Sequence, residues 1–207
     1  MFTQEVKKAF GANVPIFAEE ILALFPQYTR AYVFRLIKRA EQDGELTSFC
    51  RGVYYIPTKT FLGASQICSE MVAEKKYLRD CQSVYGIYAG LSLLNQFGIT
   101  TQVPNTVEIV TNRETTRKRK VTIVGRDFIL RKARCEITKE NFATYTLLQL
   151  FNDMGGSDKM DDLAREQILG YMKGNNVTQA KLFAMSQSFP SLVLRKIAGS
   201  GVLNETA

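Results

Sequence analysis

The chain has 207 residues, 45% hydrophobic and 23% charged, enough to bury a core without disulfides or metal and too apolar for wholesale disorder. It has no histidine, and its four scattered cysteines form no Cys-x-x-Cys; Ser-His-Asp, Cys-His and His-ligated zinc chemistry are excluded, and reduced, mostly buried thiols are expected. The formal charge of +7 favours an acidic partner such as nucleic acid, while the lack of a long apolar run or a signal-peptide core predicts a cytoplasmic protein with no membrane partner.

Near the N-terminus Thr3 is placed to cap a short helix that stops at Gly11. After Pro15, the stretch Phe17 to Phe25 carries Ile21, Leu24 and Phe25 at helical spacing, and Pro26 closes it. Thr29 is the expected N-cap of a third helix, Arg30 to Asp43, ended by Gly44. Val33, Phe34, Ile37 and Ala40 form its apolar stripe, with Arg30, Tyr32, Arg35, Lys38 and Arg39 around the rest of the cylinder. Two short strands, 45–49 and 53–56, flank a turn holding Arg51 and Gly52.

Three helices followed by a basic-tipped hairpin, over residues 1–60, is the order of a winged helix-turn-helix. That arrangement sets its last helix in the major groove of DNA. Arg30, Tyr32 and Arg35 lie on the turns that read base edges, beside Thr29; Lys38, Arg39 and Arg51 suit phosphates. The other reading is a winged helix used for protein contacts. Residues 1–62 carry eight basic against six acidic residues, so non-specific DNA affinity is expected to be weak and a homodimer would strengthen it.

A joint is expected around Ile56-Pro57-Thr58-Lys59-Thr60. A second unit, 64–154, then opens with a helix from Ala64 or Ser65 to about Gln82, with Cys68 and Cys81 on its apolar side. A further helix runs from Ile87 to Phe97 and stops at Gly98. Thr106 to Thr111 alternates as a strand. Lys120–Val124 and Asp127–Arg131 pair as a hairpin across Gly125-Arg126, and a helix follows from Phe142 to about Asp153.

This unit holds the sharpest charge run, with nine basic residues between Arg113 and Arg134 against Glu114 and Asp127. Arg113, Arg117, Lys118, Arg119, Lys120, Arg126 and Arg131 are the expected anion- or partner-binding set; a merely solvated hairpin is the alternative. Strand alternation turns Phe128 and Leu130 inward and Arg131 outward.

A second joint falls at Asp153-Met154-Gly155-Gly156-Ser157. Residues 157–207 read as three helices, Met160 to Lys173, Thr178 to Gln187 and Ser191 to Ala198, expected to pack on the second unit or to form a dimer interface. The fold class is α+β: a winged helix, a mixed α+β domain and a helical C-terminus.

Enzymatic chemistry would have to rest on carboxylates. Glu108 stands alone in its strand, with no paired acid and Glu-x-Lys sequel of a metal-dependent nuclease. The expectation is a non-enzymatic protein with no metal and no cofactor.

The chain resembles the AbiEi-like antitoxins of the AbiE (type IV) abortive-infection toxin–antitoxin systems. The likeness rests on Phe2-Thr3, on Arg51-Gly52-Val53-Tyr54-Tyr55-Ile56-Pro57, on Tyr85-Gly86, Ala89, Leu91, Leu94, Gly98-Ile99-Thr100 and Val103-Pro104, and on Ile137-Thr138 with Asn141. It spans residues 1 to about 150 and departs at Gln96, where family members often carry histidine. The resemblance implies a winged helix joined to an antitoxin domain, repression of the protein's own operon through inverted repeats in double-stranded DNA, and neutralisation of a nucleotidyltransferase-like toxin.

Overall fold

A computed structural model of the chain describes residues 2–61, 63–155 and 160–205. The fold is mixed α+β. Its contacts separate into two compact units, residues 1–75 and 76–207. The division falls later than the joint expected at 56–60. The reason lies in the polar links after Pro57: Asn13 and Ser65 side chains both hydrogen-bond to Thr58, and Lys75 donates to the Pro15 carbonyl and the Glu20 carboxylate, each at 2.7 Å.

The first unit contains α1 (Phe2–Phe10), β1 (Ile16–Phe17), α2 (Ala18–Leu24), α3 (Arg30–Gln42), β2 (Thr47–Cys50), β3 (Val53–Tyr55) and a small hairpin, β4 (Lys59–Thr60) with β5 (Gly63–Ala64). Strands β1, β3 and β2 form an antiparallel sheet in that order. Val6, Ile16, Ile21, Phe25, Val33, Ile37, Ala40, Leu46 and Ile56 make the core. The stripe expected on α3 is thus its buried face, with Phe34 half-buried. Thr3 does not cap α1; its hydroxyl donates to Glu45. Phe17 belongs to β1, and Glu20 reaches back to its backbone N–H at 2.7 Å, which starts α2 one residue later than expected.

At the boundary lies α4 (Ser69–Tyr77), shorter at both ends than the helix expected over 64–82. Its C-terminal limit has a local cause. The Asp80 carboxylate accepts from the backbone N–H groups of Gln82 (2.9 Å) and Ser83 (2.8 Å), a side-chain turn that competes with helix. Cys68 and Cys81 therefore fall outside the helix and are exposed, while Cys50 and Cys135 are half-buried; the expectation of buried thiols is corrected.

The second unit is built on a four-stranded sheet in the order β6-β7-β9-β8: β6 (Gly86–Ala89), β7 (Val107–Thr111), β8 (Arg119–Ile123) and β9 (Arg126–Lys132). The β7 and β9 strands run parallel and the other pairs antiparallel. Residues 86–89 are strand, although the helix is expected to begin at Ile87, and α5 (Gly90–Gln96) follows them. A Cβ on Gly86 would lie 2.1 Å from the Tyr77 carbonyl oxygen and 2.9 Å from that of Val110, so this strand depends on backbone approach that only glycine permits.

The long helix α6 (Phe142–Asp153) is buried along most of its length. It shares one core with Ile87, Ala89 and Val110 of the sheet, with Leu93 and Leu94 of α5, and with α7 (Asp162–Gly174), α8 (Gln179–Ser186) and α9 (Ser191–Gly199) through Ile168, Leu182, Val193 and Ile197. A 3₁₀ turn, Val202–Glu205, ends the described chain. Asp161 caps α7 by accepting from Ala164 N–H at 2.8 Å, and Thr178 caps α8. The joint expected at 153–157 falls partly on residues 156–159, outside the described residues. The β8–β9 hairpin turns at Val124-Gly125, one residue earlier than expected, since Ile123 pairs with Arg126.

Candidate functional site

Two basic surfaces emerge, one on each unit. On the first, Thr29 caps α3 by accepting from Tyr32 N–H at 3.3 Å. Burial of Val33, Ile37 and Ala40 turns Ala31, Arg35, Lys38 and Gln42 to the opposite, exposed face. Tyr32 and Arg39 border that face and are exposed as well. An aromatic series ties the helix start to the core: Phe2 against Phe25 (4.9 Å between centroids), Phe25 against Tyr28 (6.2 Å) and Tyr28 edge-on to Tyr32 (5.0 Å). The Arg35 guanidinium sits 5.8 Å from the Tyr32 ring. Arg51 and Gly52 form the two-residue turn between β2 and β3, with Gly52 at φ 76° and Arg51 exposed.

These residues differ in how free they are. Arg30 lies on the flank toward α2, pairs with Glu19 at 3.2 Å and stands over the Phe34 ring. Arg39 faces Asp43 at 3.8 Å. Both pairs are solvent-exposed and contribute little. Arg35 and Lys38 occupy the centre of the exposed face.

On the second unit the structure divides the expected basic set. Arg113 stacks on Tyr85 (3.4 Å), donates to the Lys76 carbonyl and approaches Asp80. Arg119 donates to Glu114 at 2.7 Å. Lys120 pairs with Asp127 at 2.7 Å. Arg131 contacts Glu108 at 3.0 Å and Asp153 at 3.5 Å. Its guanidinium is half-buried among acids, which corrects the expectation that it points into solvent. The run 117–120 is likewise not four equivalent charges, since its last two members have acidic partners in place. Arg126 is half-buried.

Glu114 organises this loop. Burial alone would push its pKa up, but the N–H of Thr116, the Arg119 guanidinium, the Thr116 hydroxyl and the Thr115 N–H all bind the carboxylate and lower it to about 2. The four donors lie 2.7–3.0 Å away.

What remains is a groove of about 750 Å³ lined by Arg117 and Lys118, by Arg131, Lys132 and Arg134 from the end of β9, and on its floor by Glu108, Tyr145 and Gln149. Lys132 and Arg134 lie within the charge run of the sequence, yet only the fold shows that they converge with Arg117 and Lys118. The family of unknown function DUF6088 matches residues 6–180. The chain belongs to that family. No curated protein matches it. The match spans both units of this DUF6088 chain, including the exposed face of α3 and the groove. Among the described residues no helix is long and apolar enough to cross a membrane.

Proposed function

We propose that residues 1–75 act as a winged helix that binds double-stranded DNA, and that the chain is an AbiEi-like antitoxin and transcriptional regulator that represses its own operon. One observation carries the DNA reading. A capped helix presents Arg35 and Lys38 at the centre of its exposed face, and the β2–β3 turn presents Arg51 from a neighbouring sheet. A helix entering the major groove with a basic turn beside it matches that arrangement. Arg30, held toward Glu19, supplies at most a phosphate contact. One such face covers one half-site, so two chains on an inverted repeat is the assembly this reading requires.

The regulator is read as non-enzymatic. Glu108, the strand carboxylate a metal-dependent nuclease would need, is held by Arg131. The toxin-neutralising role, with a nucleotidyltransferase-like partner in the cytoplasm, rests on the sequence resemblance.

The test is fluorescence anisotropy on the DNA upstream of the protein's own reading frame. Arg35→Ala should weaken binding by about 1–3 kcal/mol and relax preference at one base position. Lys38→Ala should weaken binding to all sequences and reduce the log–log salt slope by about 0.9. Unchanged affinity in both variants refutes the DNA reading of α3. Co-purification with the product of the adjacent gene tests the antitoxin role separately.

A further inference from the structure

We infer that the basic groove of the second unit is a binding site for a nucleoside polyphosphate, recognised through its phosphate chain. The inference is independent of the DNA reading, because the groove is built entirely from residues of the second unit.

The charge of the groove favours an anion. Five cations line the groove against the single carboxylate of Glu108. That carboxylate is already engaged by Arg131, which also approaches Asp153. The floor is therefore internally compensated, and the uncompensated charge sits on the rim. Among the described residues Arg117, Lys118 and Lys132 make no ion pair, in contrast to Arg119 and Lys120 beside them. Cations gathered around a concavity without counter-charges repel one another, and an anion bound between them removes that repulsion.

The basic side chains are also held in position. Glu114 accepts from the N–H groups of Thr115 and Thr116 and holds Arg119, which fixes the loop on both sides of Arg117 and Lys118. On the opposite wall, the backbone N–H of Arg134 donates to the Tyr145 hydroxyl at 2.9 Å, and its guanidinium stands 5.5 Å from the Phe189 ring. Tyr145 is fully buried and lies edge-on to Phe189. Both walls are thus anchored to the body of the domain.

Size and shape select among anions. A volume of about 750 Å³ falls in the range of small-molecule and cofactor sites. A single phosphate would leave most of it empty. Cations gathered around a half-open groove of this size suit a compact polyanion better than the extended backbone of a duplex. On the floor Glu108 keeps one carboxylate oxygen free of Arg131 for a ribose hydroxyl or a base amino group once the phosphates sit at the rim, while the buried Gln149 is tied to Asp153.

The experiment is isothermal titration of the intact chain with ATP, GTP, inorganic triphosphate and adenosine, in low salt and without added DNA. The expected result is saturable binding of both nucleoside triphosphates, weaker binding of inorganic triphosphate and none of adenosine. Arg117→Ser with Lys118→Ser should weaken nucleotide binding by about tenfold or more, since charge-assisted phosphate contacts are the strong ones. Lys132→Ser should do the same to a smaller degree. Arg35→Ala, on the other unit, should leave nucleotide binding unchanged while it weakens DNA binding, so the two readings fail independently. Circular dichroism of the rim variants should match the wild type, as none of the three residues makes an ion pair among the described residues. No nucleotide binding, binding undiminished in the rim variants, or equal binding of adenosine would overturn the site. Loss of duplex binding in the rim variants without any nucleotide binding would also overturn it and make the groove a DNA surface.

Discussion

Glu114→Gln is the substitution that tests most directly how the second unit is held together. Glu114 is 4% exposed and accepts four hydrogen bonds, from Thr115 N–H, Thr116 N–H, the Thr116 hydroxyl and Arg119 Nε. Three of them converge on one carboxylate oxygen, and the other oxygen faces Arg119 at 2.7 Å. Glutamine keeps one acceptor oxygen and turns an amide donor toward the second set. Either the arginine or the loop N–H groups then lose their acceptor. Hydrogen bonds to a charged group contribute about 1.5–3 kcal/mol each, non-additively, and Arg119 can turn to water, so a loss of about 2 kcal/mol at neutral pH is expected.

The pH dependence separates this account from a simple packing defect. The folded carboxyl titrates near 2, below its ordinary value of 4.5. The unfolded chain therefore binds the proton more tightly, and the stabilisation is fully present above about pH 4.5. It is lost as pH falls from there toward 2. Urea denaturation of wild type and variant from pH 7 to pH 2.5 should show a gap that is constant above 5 and shrinks below 4.5. Equal stability at pH 7, or a gap of unchanged size at pH 2.5, refutes the role given to this carboxylate.

Two other perturbations probe the backbone. Val124 is an exposed β-branched residue at φ 42°, followed by Gly125 at φ 77°, in the two-residue turn of the β8–β9 hairpin; a turn with both central residues left-handed favours Asn-Gly, so Val124→Asn should raise stability in urea titration by about 1 kcal/mol, and a loss would show that the turn is not built this way. Gly86→Ala places a methyl 2.1 Å from the Tyr77 carbonyl oxygen and should destabilise the sheet by about 3 kcal/mol or more, seen as a fall in the thermal midpoint of the purified chain; wild-type stability would mean that β6 and residue 77 are not in close backbone contact.

The two surfaces differed in how far the sequence could disclose them. The α3 face was legible because everything that defines it is local: a threonine cap, a 3.6-residue apolar stripe and a glycine stop within sixteen residues. The strand at 86–89 was not. Ile87, Tyr88 and Ala89 fit either period, and what decides for strand is pairing with β7 some twenty residues later.

The charge run was legible as composition and illegible as chemistry. Each arginine or lysine reads alike along the chain, yet its behaviour depends on which carboxylate the fold sets opposite it. Thr122 pairs with Asp127 across the hairpin, which puts Lys120 beside that acid. The parallel pairing of β7 with β9 sets Val110 against Arg131 and Glu108 against Ile129, so Glu108 becomes the diagonal neighbour of Arg131. Nothing local specifies that register. It follows from burying Val107 and Ile109 beside Phe128 and Leu130, because a one-residue slip would turn those apolar residues to the other face. Core packing thus chooses which basic residues are neutralised by the protein's own acids. Lys132 meets only Thr111 within the register, and Arg117 and Lys118 before β8 and Arg134 after β9 lie outside it with no opposing strand residue to meet. They are the positive charges the fold leaves for an anion that the chain does not itself supply.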